Sequence, residues 1–449
     1  GAASVQISVP ESTAPVSFTT TWDRTFGGGN YEEFSESIAT SDGGYLLVGT
    51  SDSNATADKS QVSRGGKDFW LVKVDASGNK IWDKRFGGSG QDICNSVVQT
   101  SDGGYLLAGT SDSPIDGDKS EGSRGGKDMW IVKIDQNGTK LWDKRYGGNV
   151  EDDCHNVIVL PDGGFLLVGS SRSFAGGDKT ESRHGANSDV WVVRIDASGT
   201  KLWDKRYGSS GSEHWSRSIP TGDGGFVLFC TRSGPTDHDM TEVGRGYQDY
   251  LLLKIDSNGT LLWQKQYGGN LQDIGKAFIA THDGGYLLGG YSLSAIGDEV
   301  SDASKGQEDI WIVKTDGNGS KIWDRKFGGT GDDRLFHLLQ QPNDNFLLFG
   351  QSQSGANGNK TTTNLGGWDY WMVEIDANGS KISDKRFGGS FLDNGRSITS
   401  VPGGGYLLAG HSYSDSNGDK SEASRGSADY WIVKTDSAGN RNLYASDPE

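Results

Sequence analysis

Eight residues interrupt an otherwise repetitive chain with side chains able to do chemistry: His155, His214, Trp215, Arg217, Lys276, Arg334, His337 and Arg396. All except His214 and Arg334 fall in one recurrent four-residue slot. That slot reads FSES, CNSV, CHNV, WSRS, GKAF, LFHL and GRSI along the chain. In a repeat the shared positions build the scaffold, so a specific ligand is read by residues that depart from it. Arginine and histidine beside tryptophan suit an anionic or sugar ligand. The plain alternative is drift at a solvated lip, with the basic groups balancing nearby acids.

The shared positions carry two acidic sets. Asp68, Asp128, Asp189, Asp249, Asp309, Asp369 and Asp429 each stand two residues before a tryptophan, except that Leu251 follows Asp249. A carboxylate there can accept loop N–H groups, while the tryptophan packs into a core. Glu32, Asp92, Asp152, Glu213, Asp273, Asp333 and Asp393 form the second set, six residues after each aromatic that precedes a glycine-rich loop. Two readings stand for them: a surface ring attracting cations, or seven local latches for the loops. The acids Asp112, Asp116 and Asp118, around the words DGDKS, are spaced as oxygen donors that would suit Ca²⁺. They lack the full spacing of an EF-hand, and the equivalent NGNKT at 357–361 has lost the acids. No other cofactor is called for. G-x-S-x-G, H-E-x-x-H and a phosphate-cradling glycine loop are all missing.

The elements that must position these residues are legible from a repeat. Trp22, Trp82, Trp142, Trp203, Trp263, Trp323 and Ser383 recur at intervals of 60 or 61 residues. Each unit holds four strand signals. A run such as NSVVQT ends in a turn such as SDGG, and YLLAGTS follows. After a long polar loop come MWIVKID, a turn such as QNGT, and KLWDKRY. Asp-Gly and Asn-Gly supply the positive φ angles of tight hairpins. The spacing predicts an all-β fold: a seven-bladed β-propeller of four-stranded antiparallel blades. Packing seven sheets around an axis buries faces that one sheet alone would leave wet. The seventh unit lacks a good fourth strand, and TWDRTFGG at the start supplies one, so the N-terminal strand is expected to close the ring. The domain reading is a linker or leader remnant over 1–20, the propeller over 21–443 and a tail over 444–449. Tight turns fall on one face. The long loops and inter-blade loops fall on the other, where binding is expected. First strands are expected to line the axial channel, which places the variable slot at its mouth.

The chain has 449 residues and a net charge of -17. That charge argues against nucleic acid as a partner. No apolar run approaches the ~18 residues of a membrane span. Three cysteines make no disulfide framework. Cys94 and Cys154 stand at equivalent repeat positions, so either a bridge or buried thiols fits. Cys230 reads as a buried small apolar residue.

The words DGGYLLGG, SDGGYLLAGTSDS, GDKSE, DYWIVKTD and GNKIWDKRFGG resemble repeats of secreted and cell-surface β-propeller proteins of Bacteroidetes, over about 420 residues. Many of those proteins carry a C-terminal sorting domain for type 9 secretion, to which the final NLYASDPE has no likeness. The resemblance implies an extracellular or cell-surface setting associated with the outer membrane, and little about activity. VDASGNKIW, Val74 to Trp82, is also similar to the docking repeat of quinoprotein dehydrogenases and to the Asp-box hairpin of sialidases. The dehydrogenases have eight blades and a vicinal cysteine pair, which this chain lacks. The nucleophile pair of the sialidases cannot be picked out here. The expectation is therefore a binding or scaffold module, monomeric or part of a surface complex. It would recognise a protein partner or a glycan through the long-loop face. The rival is a polysaccharide lyase or glycoside hydrolase with its site at the channel mouth.

Overall fold

The second and third strands of every unit are continuous apolar runs, and both are buried along their length, as in Tyr105–Ser111 and Asp128–Ile134. Strands of that kind need cover on both faces. In the computed structural model, which describes residues 21–441, they find it by stacking sheet on sheet. Seven four-stranded antiparallel sheets form, each from consecutive strands except the last. Blade 1 holds Glu32–Ala39, Tyr45–Ser51, Asp68–Val74 and Lys80–Phe86. Five further blades repeat that order. In blade 7 the strands Asp393–Ser400, Tyr406–Ser412 and Asp429–Lys434 are completed by Trp22–Phe26, with Trp22 opposite Lys434 and Phe26 opposite Tyr430. The ring is a seven-bladed β-propeller closed by its N-terminal strand. The linker read over 1–20 and the tail read over 444–449 lie outside the described residues.

The core lies between blades. Val48, Phe69 and Leu71 of blade 1 pack against Cys94, Val97, Leu107 and Trp130 of blade 2. Each fully buried large side chain there contributes about 2–3 kcal/mol. The three thiols are free and buried, so Cys94 and Cys154 form no bridge. The third-strand tryptophans are tied as well as packed. Trp130 Nε1 donates to Asp143 on the fourth strand at 3.1 Å, and Trp431 donates to Asp23 of the closing strand at 3.0 Å. Blade 4 has Leu251 in that place. Opposite it stands Cys230, where the other blades have glycine.

Both acidic sets hold loops. Asp128 Oδ2 accepts the Arg124 N–H at 2.7 Å, and its equivalents do the same in every blade. Burial pushes Asp68, Asp128 and Asp369 up to about 6. The second set forms no exposed carboxylate ring. Six of its members are the first residue of a first strand and Glu213 is the second, and all seven are fully buried. Asp152, for example, accepts the Gly148 N–H at 2.7 Å and the Ser173 hydroxyl at 2.8 Å. Backbone and serine donors close around the carboxylate, making it an internal latch.

The GDKS loop is built the same way. Lys119 turns inward and donates to Ser111 Oγ, the Ser113 carbonyl and Ser123 Oγ at 2.7–2.9 Å. The acids of the calcium reading each have a donor of their own. Asp112 accepts from Gln91 N at 2.5 Å and Asp116 from Ser89 N at 3.0 Å. Asp118 pairs with Arg64 at 2.6 Å and Arg85 at 3.1 Å. The three carboxylates point at separate donors across the blade boundary. Among the described residues, no group of three or more His, Cys, Asp or Glu side chains is placed to hold a metal ion.

Candidate functional site

The first strands converge on the axis, and each carries a β-bulge near its start. In blade 2, Cys94 pairs with Gly109 and Ser96 with Ala108, so two residues of the first strand pass one of the second. Equivalent irregularities occur in the other six blades. A bulge re-aims a side chain that a regular strand would alternate away. The bulged residues Ser35, Asn95, His155, Lys276, Phe336 and Arg396 all line one axial cavity of about 310 Å³. Glu33, Phe34, Arg217, Tyr291 and Arg334 complete its wall.

Five of the eight residues singled out in the sequence thus meet in one place: His155, Arg217, Lys276, Arg334 and Arg396. His214 lies next door, in a cleft that shares His155. His337 has a structural job, since its Nδ1 accepts the Ile398 N–H at 2.8 Å and joins blade 6 to blade 7. The Trp215 side chain lies outside what the structure describes. The sequence reading missed Glu33, Asn95, Phe336 and Tyr291. A signal for the bulge was present in first-strand apolar residues three apart, such as Cys94 and Val97, or Leu335 and Leu338, instead of two.

The cations are held in fixed poses. The Arg396 guanidinium lies 4.1 Å from the Phe336 ring centre and donates to Gln351 Oε1 at 3.2 Å. Arg334 sits between Tyr291 and Trp368, 5.2 and 5.0 Å from their ring centres, and is fixed by Glu308. Arg217 lies 3.5 Å from Glu36. Glu33, the carboxylate in the cavity wall, is engaged by Lys67 at 2.9 Å. Aromatic stacking orients a guanidinium while leaving its edge for an anion. Burial, then the charges of Arg396, Arg217 and Arg334, push the Lys276 amine down to about 7. Burial, followed by His214, Arg217 and Lys276, pushes His155 down to about 3, so its imidazole is neutral at pH 7. The cavity therefore offers three permanent cations, one titrating amine and a neutral imidazole. That set can hold a carboxylate or a sulfate.

A second cleft, near Asp302–Lys305, has similar size but takes no residue from a first strand. Lys326 donates to Ser304 Oγ at 2.9 Å, and Lys381 pairs with Asp384 at 2.5 Å.

The fold places the chain in the class of seven-bladed β-propellers, with a cavity at the mouth of the axial channel. No family model matches it. A stretch of 173 residues is 24% identical to regulatory protein FlaEY of Caulobacter vibrioides, covering 36% of this chain and 18% of that protein. Among solved structures, hydrazine synthase of Kuenenia stuttgartiensis has a TM-score of 0.49 at 11% identity, over 91% of this chain and 97% of its own. The Pan2 WD40 domain of Neurospora crassa has a TM-score of 0.48 at 9% identity, over 90% and 89%. A protein of unknown function from Dyadobacter fermentans has a TM-score of 0.42 at 12% identity, over 92% and 97%.

Proposed function

We propose that this propeller is a binding module that takes an anionic group, such as the carboxylate or sulfate of an acidic glycan, at the mouth of its axial channel. One observation carries the reading: Arg217, Lys276, Arg334 and Arg396 converge on a single cavity in a chain of net charge -17. Glu33, Glu36 and Glu308 offset part of the repulsion among these cations, and a bound anion would relieve the rest. The volume, about 310 Å³, is at the small end of ligand pockets and suits one acidic sugar ring. The setting we propose is extracellular or at the cell surface, as for the secreted propellers whose repeat words it resembles.

Calorimetric titration tests this. Glucuronic acid is expected to bind and glucose not to bind. Arg396→Gln should weaken glucuronic acid at least tenfold with an unchanged melting temperature. Equal binding of both sugars, or no effect of Arg396→Gln, would refute the reading.

A second reading, cleavage of an acidic polysaccharide by elimination, is favoured by Lys276. Its amine stands among three guanidiniums able to hold a substrate carboxylate, and at about 7 it can take the proton α to that carboxylate near neutral pH and pass it to the glycosidic oxygen as the C=C bond forms and the β C–O bond breaks. Ultraviolet absorbance from unsaturated chain ends, present in the parent and lost in Lys276→Met, would mark that activity.

A further inference from the structure

Every blade boundary on the long-loop face is closed by two residues. One precedes the third-strand aspartate, and its carbonyl accepts the N–H of the next blade's first-strand acid. The other immediately precedes that acid in the chain. Around the ring the pairs are Lys67 and Gln91, Lys127 and Glu151, Ser188 and Ser212, Gln248 and Gln272, Glu308 and Asp332, Trp368 and Leu392, and Ala428 and Tyr31. Six boundaries have at least one large side chain. The boundary between blades 3 and 4 has two serines, with their hydroxyls 3.3 Å apart.

The same boundary carries a one-residue insertion in the loop before its third strand. The Asp189 carboxylate there accepts an N–H from five residues back, His184, where the other blades span four. Small side chains and the longer loop leave a cleft of about 390 Å³. Its wall includes Asp153, Ser170, Ser188, Ser212, His214 and His155, and His155 also lines the axial cavity. At the rim Glu151 pairs with Arg172 at 2.9 Å. Hydroxyls, a carboxylate and an imidazole that burial pushes below its ordinary range offer both donors and acceptors. That is the complement of a sugar's hydroxyl groups. With Glu151 paired to Arg172, Asp153 is left to disfavour a second anion placed there.

We infer that this cleft is a second subsite, which takes a neutral or amino sugar joined to the acidic sugar held in the axial cavity. The inference rests on the anion-binding reading of that cavity and narrows its ligand to a mixed oligosaccharide, as opposed to a chain of acidic sugars alone.

Three probes separate the two ideas by calorimetry: glucuronic acid, a disaccharide of glucuronic acid and N-acetylglucosamine, and digalacturonic acid. The mixed disaccharide is expected to bind about tenfold tighter than glucuronic acid, and digalacturonic acid no tighter. The double change Ser188→Gln with Ser212→Gln copies the Gln248 and Gln272 boundary that the fold already carries. It should bring the mixed disaccharide back to the affinity of glucuronic acid and leave glucuronic acid unaffected. Overturning results are a mixed disaccharide that gains nothing over glucuronic acid, or a gain that survives the double change at an unchanged melting temperature. If glucuronic acid itself fails to bind the parent, the reading of the axial cavity fails and the subsite falls with it.

Discussion

His155 occupies the bulge position that is Asn95 in blade 2, Lys276 in blade 5 and Arg396 in blade 7. Its chemistry is set by its neighbours. Burial, and then three nearby cationic or imidazole groups, push it down to about 3 from an ordinary 6.5. The unfolded chain takes up the proton near pH 6.5, whereas the folded chain refuses it until about pH 3. Below pH 6.5 the unfolded state binds the extra proton, so this residue's contribution to stability falls as pH falls. The buried acids Asp68, Asp128 and Asp369, raised to about 6, work in the opposite direction, because the folded chain keeps their protons longer. The clean measurement is therefore a difference between variants. His155→Asn, which copies blade 2, should gain on the order of 1 kcal/mol relative to the parent between pH 8 and pH 5, as read by urea unfolding. The full shift would give about 2 kcal/mol at pH 5, and water reaching the cavity trims it. An equal difference at both pH values would show that His155 titrates normally.

At the scale of the element, the bulge decides which residues reach the axis, and a glycine makes room for the bulge. A Cβ placed on Gly109 would come within 1.9 Å of the Ile93 carbonyl oxygen, on the strand that carries the bulge. Gly109→Ala should therefore cost roughly 2–3 kcal/mol in unfolding free energy, since backbone must shift to admit it. A loss under 0.5 kcal/mol would mean the bulge adapts freely. Blade 4 places Cys230 there and Leu251 opposite, a side chain on one strand accompanied by a smaller one on the other. These strands were legible from apolar runs and Asp-Gly turns. The bulge was harder to see, because it leaves composition unchanged and shifts an alternation by one. For that reason Arg217, Lys276 and Arg396 could be named from their types, while Phe336 and Asn95, ordinary residues in the same slot, could not. The second acidic set was placed correctly along the chain, but its burial was not legible. The loop N–H and Ser hydroxyl groups that enclose each carboxylate, from glycine in six blades and Ser209 in blade 4, come together only when the loops close.

For the whole molecule, a period of 60 residues and a spare first strand were enough to give seven blades and their closure. The Trp431 to Asp23 hydrogen bond at 3.0 Å shows the closing strand doing in blade 7 what the fourth strand does elsewhere. The axial cavity depends on that closed ring, since its wall draws on residues of all seven blades. At long range a chain of net charge -17 repels anions, so attraction has to arise locally, among side chains partly shielded from water. The account therefore stands on where an anion goes. Crystals grown in selenate and measured at the selenium absorption edge give the most direct view. The expected result is an anomalous peak in the axial cavity among Arg217, Lys276, Arg334 and Arg396, lost in Arg396→Gln. Selenate bound at other sites, with that cavity holding water, would contradict the account.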